Sequence, residues 1–197
     1  MLASITPLGE RGRKSRWGLT VTAFVASSAA AGTALGVTLG SLGIPLRLIA
    51  PAPIRVWILA VAILLAAPYE WRAFGLRLPT VHRQVNEQWL NRYRGWVYGA
   101  GFGAQLGAGI ATIVTTAAVY AMLAALVLTG SPVWAALAGG TFGLMRGLLI
   151  LPSRRVRTTR SLVSLDASLR RWERPVRVLT GVTLSALALV VAVGAAR

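Results

Sequence analysis

The chain of 197 residues is 55% apolar and only 13% charged, with a mean hydropathy of +0.65, whereas an ordinary soluble domain carries about 25% charged residues. Half the usual charge cannot cover a soluble surface of this size, and no basic soluble module carries the net charge of +16, so a soluble domain and a nucleic-acid partner are both excluded. The absence of cysteine removes disulfides, thiolate metal sites and thiol redox relays.

The apolar residues fall in runs of about 20 divided by short basic stretches, the pattern of bilayer-spanning helices. Residues 1–16 are a basic stretch holding Arg11, Arg13, Lys14 and Arg16, and residues 17–197 form a single transmembrane domain. The first predicted span is 17–42. Its apolar run is too long for a signal-peptide core of about 7 to 15 residues, so it is read as a retained helix. The second span, 54–69, is near the lower limit for crossing a hydrocarbon core of roughly 30 Å. The third, 96–128, has the opposite problem: at about 1.5 Å per residue it reaches roughly 50 Å, so part of it must bend, unwind or leave the core. The bend is expected in the run Gly99, Gly101, Gly103, Gly107 and Gly109. Spans at 132–151 and 176–196 complete an all-α, polytopic transmembrane helix bundle of about five spans with Gly-rich packing faces.

Charge sets the expected orientation. Seventeen basic residues fall on one side: four before the first span, five in 72–95 (Arg72, Arg77, Arg83, Arg92, Arg94), and eight between the fourth and fifth spans (Arg154, Arg155, Arg157, Arg160, Arg170, Arg171, Arg174, Arg177). Arg47, Arg55 and Arg197 fall on the other, which predicts a cytoplasmic N-terminus and an extracytoplasmic C-terminus. Trp17, Trp57, Trp71, Trp96, Trp134 and Trp172 all lie near predicted boundaries, where an amphipathic ring is best accommodated. Twenty Arg against one Lys, with abundant Ala, Gly and Val, suggests a high-GC bacterial genome and hence the bacterial cytoplasmic membrane.

Three spans carry glycines every four residues: Gly32, Gly36 and Gly40; Gly99, Gly103 and Gly107; Gly139, Gly143 and Gly147. Each triplet makes a groove in which another helix can approach closely, as packing in lipid requires. The same thin faces could instead line a narrow path. The polar residues of the spans are Thr20, Thr22, Ser27, Ser28, Thr33, Thr38, Gln105, Thr112, Thr115, Thr116, Tyr120, Thr141, Arg146, Thr183 and Ser185, with no Asp or Glu inside any predicted span. A carboxylate-based ion relay is therefore not expected, and most hydroxyls are expected to bond a carbonyl one turn back. Arg146 either snorkels to the nearby interface or faces inward, where it binds an anion or holds Gln105 at a compatible depth.

Between spans, 154–175 has Leu162, Leu165, Leu169 and Trp172 at helical spacing, and 72–95 repeats Val81, Val85, Trp89 and Tyr93 every four residues. Both read as amphipathic helices at the membrane surface, anchored in lipid or docking a protein partner. His82 stands alone, with no nucleophile or metal-ligand cluster beside it, so the sequence has no enzyme signature and calls for no catalytic residue, metal or cofactor.

The Gly-rich opening of 99–116 and the run Gly139, Gly140, Thr141, Phe142, Gly143, Leu144, Met145, Arg146, Gly147 resemble the CcdA/DsbD-type transmembrane family of the LysE-like transporter superfamily. That resemblance implies repeated helical units around a pathway for electrons or small solutes. The family's paired redox cysteines are missing, so electron transfer is not carried over, and five spans do not fit its six-span, two-repeat plan. The leading expectation is a transporter-like protein handling a small solute, with Gln105, Thr112, Thr116 and Arg146 as substrate contacts. The rival is a non-transporting scaffold or assembly factor whose basic loops recruit a partner. Expected associations are the lipid bilayer, anionic lipid headgroups, and a homo-oligomer or membrane protein partner.

Overall fold

The computed structural model describes residues 5–70, 92–109 and 116–195, and among these every regular element is helical. Helix α1 (Pro7–Gly12) is followed by α2 (Trp17–Leu42), α3 (Ile44–Ile49), α4 (Ala52–Glu70), α5 (Gly95–Gly107), α6 (Ala118–Thr129), α7 (Pro132–Leu148), a 3-10 turn (Leu151–Arg155) and α8 (Thr159–Ala195). Four stretches are long and apolar enough to cross a membrane, Trp17–Ile49, Ala52–Glu70, Pro132–Arg155 and Thr159–Gly194, and Ala118–Thr129 is a shorter apolar helix. This is the build of an all-α, multi-pass membrane protein. Leu64, Leu65, Leu189 and Val190 are among the large apolar side chains that point outward, as they do where hydrocarbon is the solvent.

The first predicted span is α2, with the predicted bounds, while three other elements differ in part from expectation. The long third run divides into α5 and α6, and α5 continues unbroken through Gly99, Gly103 and Gly107. Gly99 and Gly103 do not bend it because their bare face is packed against α2, and the helix ends at the far end of the predicted glycine run, where Gly109, at φ +70°, takes the left-handed conformation that ends helices. The second span gains residues at both ends and takes in Glu70, so a carboxylate does belong to an apolar helix. Finally, the surface helix expected in 154–175 and the fifth span are one helix of 37 residues with Pro175 inside it. Its start is secured by reciprocal bonds: Ser161 N–H donates to Thr158 Oγ1 at 3.2 Å, and Thr158 N–H to Ser161 Oγ at 3.1 Å. The ion pair Asp166–Arg170, at 2.8 Å, then supports a turn before the proline, and Glu173–Arg177 spans it.

The chain divides into two compact units. In unit 1, described at 5–35, 92–109 and 139–171, α2 receives glycine-bearing faces from both α5 and α7. A Cβ on Gly103 would collide with Phe24 O, one on Gly107 or Gly143 with Ser28 O, and one on Gly32 with Gly139 O. Backbones this close gain dispersion contacts that a larger residue would abolish. Ser28 is fully buried and its hydroxyl donates to Gly143 O at 2.6 Å. Val21, Phe24, Tyr98, Phe102, Ile5 and Ile150 form the apolar core.

In unit 2, described at 36–70, 116–138 and 172–195, α4, α6 and α8 meet through small residues. Ile63, Ala66 and Ala67 pack with Ala117, Ala121, Leu184 and Ala188. Gly36 lies against Ala135 O and Gly43 against Val127 O too closely for any side chain. Helix α6 ends at Gly130, φ +54°. Its free carbonyls are met by Arg55, whose Nη1 donates to Leu128 O at 2.7 Å and Thr129 O at 3.2 Å. That arginine neutralises a helix C-terminus as well as adding charge outside the apolar run.

Candidate functional site

The most elaborate polar arrangement lies at the Arg-rich end of unit 1, and the sequence places its elements unusually well. Thr6 caps α1 by accepting from Gly9 N–H at 3.1 Å, and Pro7 supplies a helical φ at the first position. The chain then reverses at Lys14, the one described residue other than glycine with a positive φ, +54°. This turn lays α1 beside the start of α2 and points Glu10 inward, with no exposed surface.

A carboxylate taken out of water requires partners. Glu10 has them from three segments: Thr20 Oγ1 donates to Oε2 at 2.8 Å, Arg13 Nη2 donates to Oε1 at 2.9 Å, and Tyr98 OH donates to Oε1. Arg13 also lies 5.6 Å from the Tyr98 ring centroid. Burial alone would lower the Arg13 pKa, but hydrogen bonds and charge from Glu10 and Tyr98 outweigh it and raise the guanidinium above its ordinary value. Gly95 makes room for this knot, since a Cβ there would lie 2.5 Å from Thr20 Oγ1 and 3.2 Å from Glu10 Oε2.

Two open basic grooves flank the knot. One, of ≈ 820 Å³, is lined by Pro7, Glu10, Arg11, Ser15, Trp17, Arg154, Arg155 and Arg157. The other, of ≈ 740 Å³, is lined by Arg13, Lys14, Arg16, Arg92 and Arg94 with Tyr93, Gly95, Trp96, Ser15, Leu19 and Thr20. Arginine and lysine beside aromatic rings, at the ends of apolar helices, can bind anions at a membrane surface.

Of the four expected substrate contacts, three lie among the described residues. Gln105 and Arg146 belong to unit 1 and Thr116 to unit 2, while Thr112 lies outside the described residues. Arg146 stacks 5.3 Å from the ring centroid of Phe142, one turn back, and its Nη1 is buried with no hydrogen-bond partner among the described residues. No hydrogen bond joins it to Gln105. Thr116 instead donates to Glu70, which also accepts from Ala117 N–H at the start of α6. Glu70, 4% exposed, thus serves as a carboxylate cap on a helix N-terminus. Of the remaining hydroxyls, Thr22, Thr33, Thr183 and Ser185 donate to the carbonyl four residues back in their own helix. His82 and the periodic residues of 72–91 lie outside the described residues. No group of three or more His, Cys, Asp or Glu side chains occurs among the described residues.

Sequence reasoning passed over Glu10 and Glu70. For Glu10 a signal was available: Thr6 followed by Pro7 is a helix start, and it converts a nominally disordered basic stretch into a folded one. For Glu70 the cue was weaker, an acid placed one residue beyond a predicted span. Comparisons with family profiles, curated proteins and solved structures give no match.

Proposed function

We propose that this multi-pass membrane protein is a non-transporting scaffold of the bacterial cytoplasmic membrane, whose Arg-rich end faces the cytoplasm and gathers anionic partners at the bilayer surface. The observation that carries the reading is the Glu10 knot. It uses a buried carboxylate and donors from Arg13 at the end of α1, from α2 and from α5 to fix a frame beside which basic residues line two grooves. A fixed frame lets charge recognise shape, whereas a floppy basic tail would supply attraction alone. The span hydroxyls that bond carbonyls in their own helices fit the same reading, because a packed bundle satisfies polar groups locally.

One observation favours the transporter-like alternative, in which Gln105, Thr112, Thr116 and Arg146 contact a small solute and the glycine runs are those of the CcdA/DsbD-type family. Arg146 Nη1 is buried without a partner, a position open to an anion.

Complementation of a deletion strain separates the two at matched membrane abundance. The scaffold reading expects Arg92→Gln/Arg94→Gln to lose complementation, while Arg146→Lys, Arg146→Ala and Gln105→Ala retain it. The reverse pattern rejects the scaffold and supports a solute site. Orientation is tested by reporter fusions after Gly130 and at Arg197, both expected outside the cytoplasm; a cytoplasmic C-terminus would change the number of crossings.

A further inference from the structure

The groove of ≈ 820 Å³ has a construction that the scaffold reading does not explain. The N-terminal segment is clamped to the chain following α7: Ser153 Oγ donates to Ile5 O at 3.1 Å and Leu8 N–H to Val156 O at 3.3 Å. Ile5, Ile150, Ser153 and Val156 are buried to 1% exposure or less. This clamp brings Arg11 of α1 into one groove with Arg154, Arg155 and Arg157.

Arg11, Arg154, Arg155 and Arg157 are exposed residues of like charge brought to one groove, where their fields add and an anion is attracted by all four. The groove's own carboxylate is already engaged, since Glu10 accepts from Arg13, Thr20 and Tyr98. None of the three ion pairs among the described residues involves Arg11, Arg154, Arg155 or Arg157. Buried packing therefore holds four unneutralised planar forks together, and such forks match phosphate oxygens in bidentate fashion. The surroundings narrow the ligand further. Trp17, on the groove, is the first residue of an apolar membrane-length helix. Leu149 and Leu151, five and three residues before Arg154, are 66% and 40% exposed. Phosphate-binding groups next to outward-facing leucines fit a molecule that carries both a phosphate and hydrocarbon.

We propose that this groove is a binding site for the phosphate headgroup of an anionic phospholipid, with two phosphates held more tightly than one and the acyl chains lying along Leu149 and Leu151. The site is independent of whether the protein recruits partners or moves a solute. Native mass spectrometry of the full chain, released from micelles supplemented with a diphosphatidylglycerol lipid, phosphatidylglycerol or phosphatidylcholine, reads it directly. One diphosphate lipid per chain should be retained, phosphatidylglycerol less, and phosphatidylcholine not at all. Arg154→Gln/Arg155→Gln should weaken retention about tenfold or more, while Arg171→Gln/Arg174→Gln, which removes the same charge from the exposed surface of α8, should change it less than about twofold. If the glutamine pair fails to fold by circular dichroism, Arg154→Lys/Arg155→Lys keeps the charge and should still weaken retention through loss of the planar fork. Equal loss in both glutamine pairs would reduce the site to diffuse attraction and overturn the proposal. Retention of phosphatidylcholine, or displacement of the lipid by millimolar inorganic phosphate, would overturn it as well, the latter assigning the groove to a soluble phosphate.

Discussion

Among the described residues each unit buries one acidic side chain, and the two burials have different partners. Glu70 in unit 2 accepts from a hydroxyl and a backbone N–H at the start of α6, so its charge complements a helix dipole and its role is complete within the fold. Glu10 in unit 1 draws on three side chains, one of them 88 residues away, and one of them a cation. The contrast teaches that a buried carboxylate can serve either as a cap or as an anchor for surrounding positive charge. Unit 1 combines its anchor with a groove whose Arg11, Arg154, Arg155 and Arg157 form no ion pair among the described residues, whereas the described arginine contacts of unit 2 include Arg55, bonded to helix-end carbonyls.

The largest expected effect comes from the glycine faces on which both units depend. Gly103→Leu in unit 1 and Gly36→Leu in unit 2 would drive a side chain into Phe24 O and Ala135 O respectively. Overpacking of a backbone contact cannot be relieved by rotamer change, so both variants should show severe loss of folded yield in detergent. Gly18→Ala, with nothing within 4 Å, is the matched control and should be neutral or slightly stabilising. Normal yield from either leucine variant would remove close backbone approach as the basis of that unit's packing.

The carboxylates come next and test the comparison itself. Glu10→Ala removes the carboxylate shared by a partly buried guanidinium, a buried phenol and a buried threonine, a change on the order of 3 kcal/mol. Glu70→Ala removes a cap and should cost about 1–2 kcal/mol. Thermal unfolding of both variants in the same detergent checks the order, and lipid retention sharpens it: only Glu10→Ala should also disturb the groove. A larger loss for Glu70→Ala would make unit 2 the more strongly anchored region.

Much of the fold was legible because bilayer solvent writes long apolar runs, and α2 follows its run from Trp17 to Leu42. The excessive length of the third run was also legible, and its helix ends within the predicted glycine run, at Gly107 and Gly109, but the run did not show which of its glycines would stay helical. Gly99 and Gly103 look flexible in isolation and are held straight by contact with Thr20 and Phe24. The surface helix over 154–175 and the span from 176 read as separate elements, yet Pro175 removes only one helical hydrogen bond, and α8 continues through it. Glu10 was hidden for a different reason: a single acid beside Arg11, Arg13 and Lys14 reads as solvated charge, and its burial depends on Tyr98 far along the chain. Glycine spacing reveals a bare face, but not which carbonyls it will meet.

The smallest effect lies in the turn that makes unit 1's anchor possible. Lys14 has φ +54°, and Gly130, which ends α6 in unit 2, has the same value. Unit 2 fills this left-handed position with the residue that adopts it freely, whereas a residue with a Cβ is strained there by about 1 kcal/mol. If the backbone alone mattered, glycine would serve at both positions. Lys14 lines the ≈ 740 Å³ groove with Arg13, Arg16, Arg92 and Arg94, so its retention is accounted for by charge at the cost of that strain. Lys14→Gly should accordingly stabilise the fold by up to about 1 kcal/mol while weakening whatever anion the groove binds. Lys14→Ala separates the causes, because it removes the same charge and keeps the strained φ. Thermal unfolding should rank glycine above both alanine and lysine, while binding of acidic peptides or vesicles should fall equally for the two variants. A glycine variant no more stable than the alanine variant would mean that the turn carries no strain, and that Lys14 reveals nothing about what unit 1 sacrifices to place a cation there.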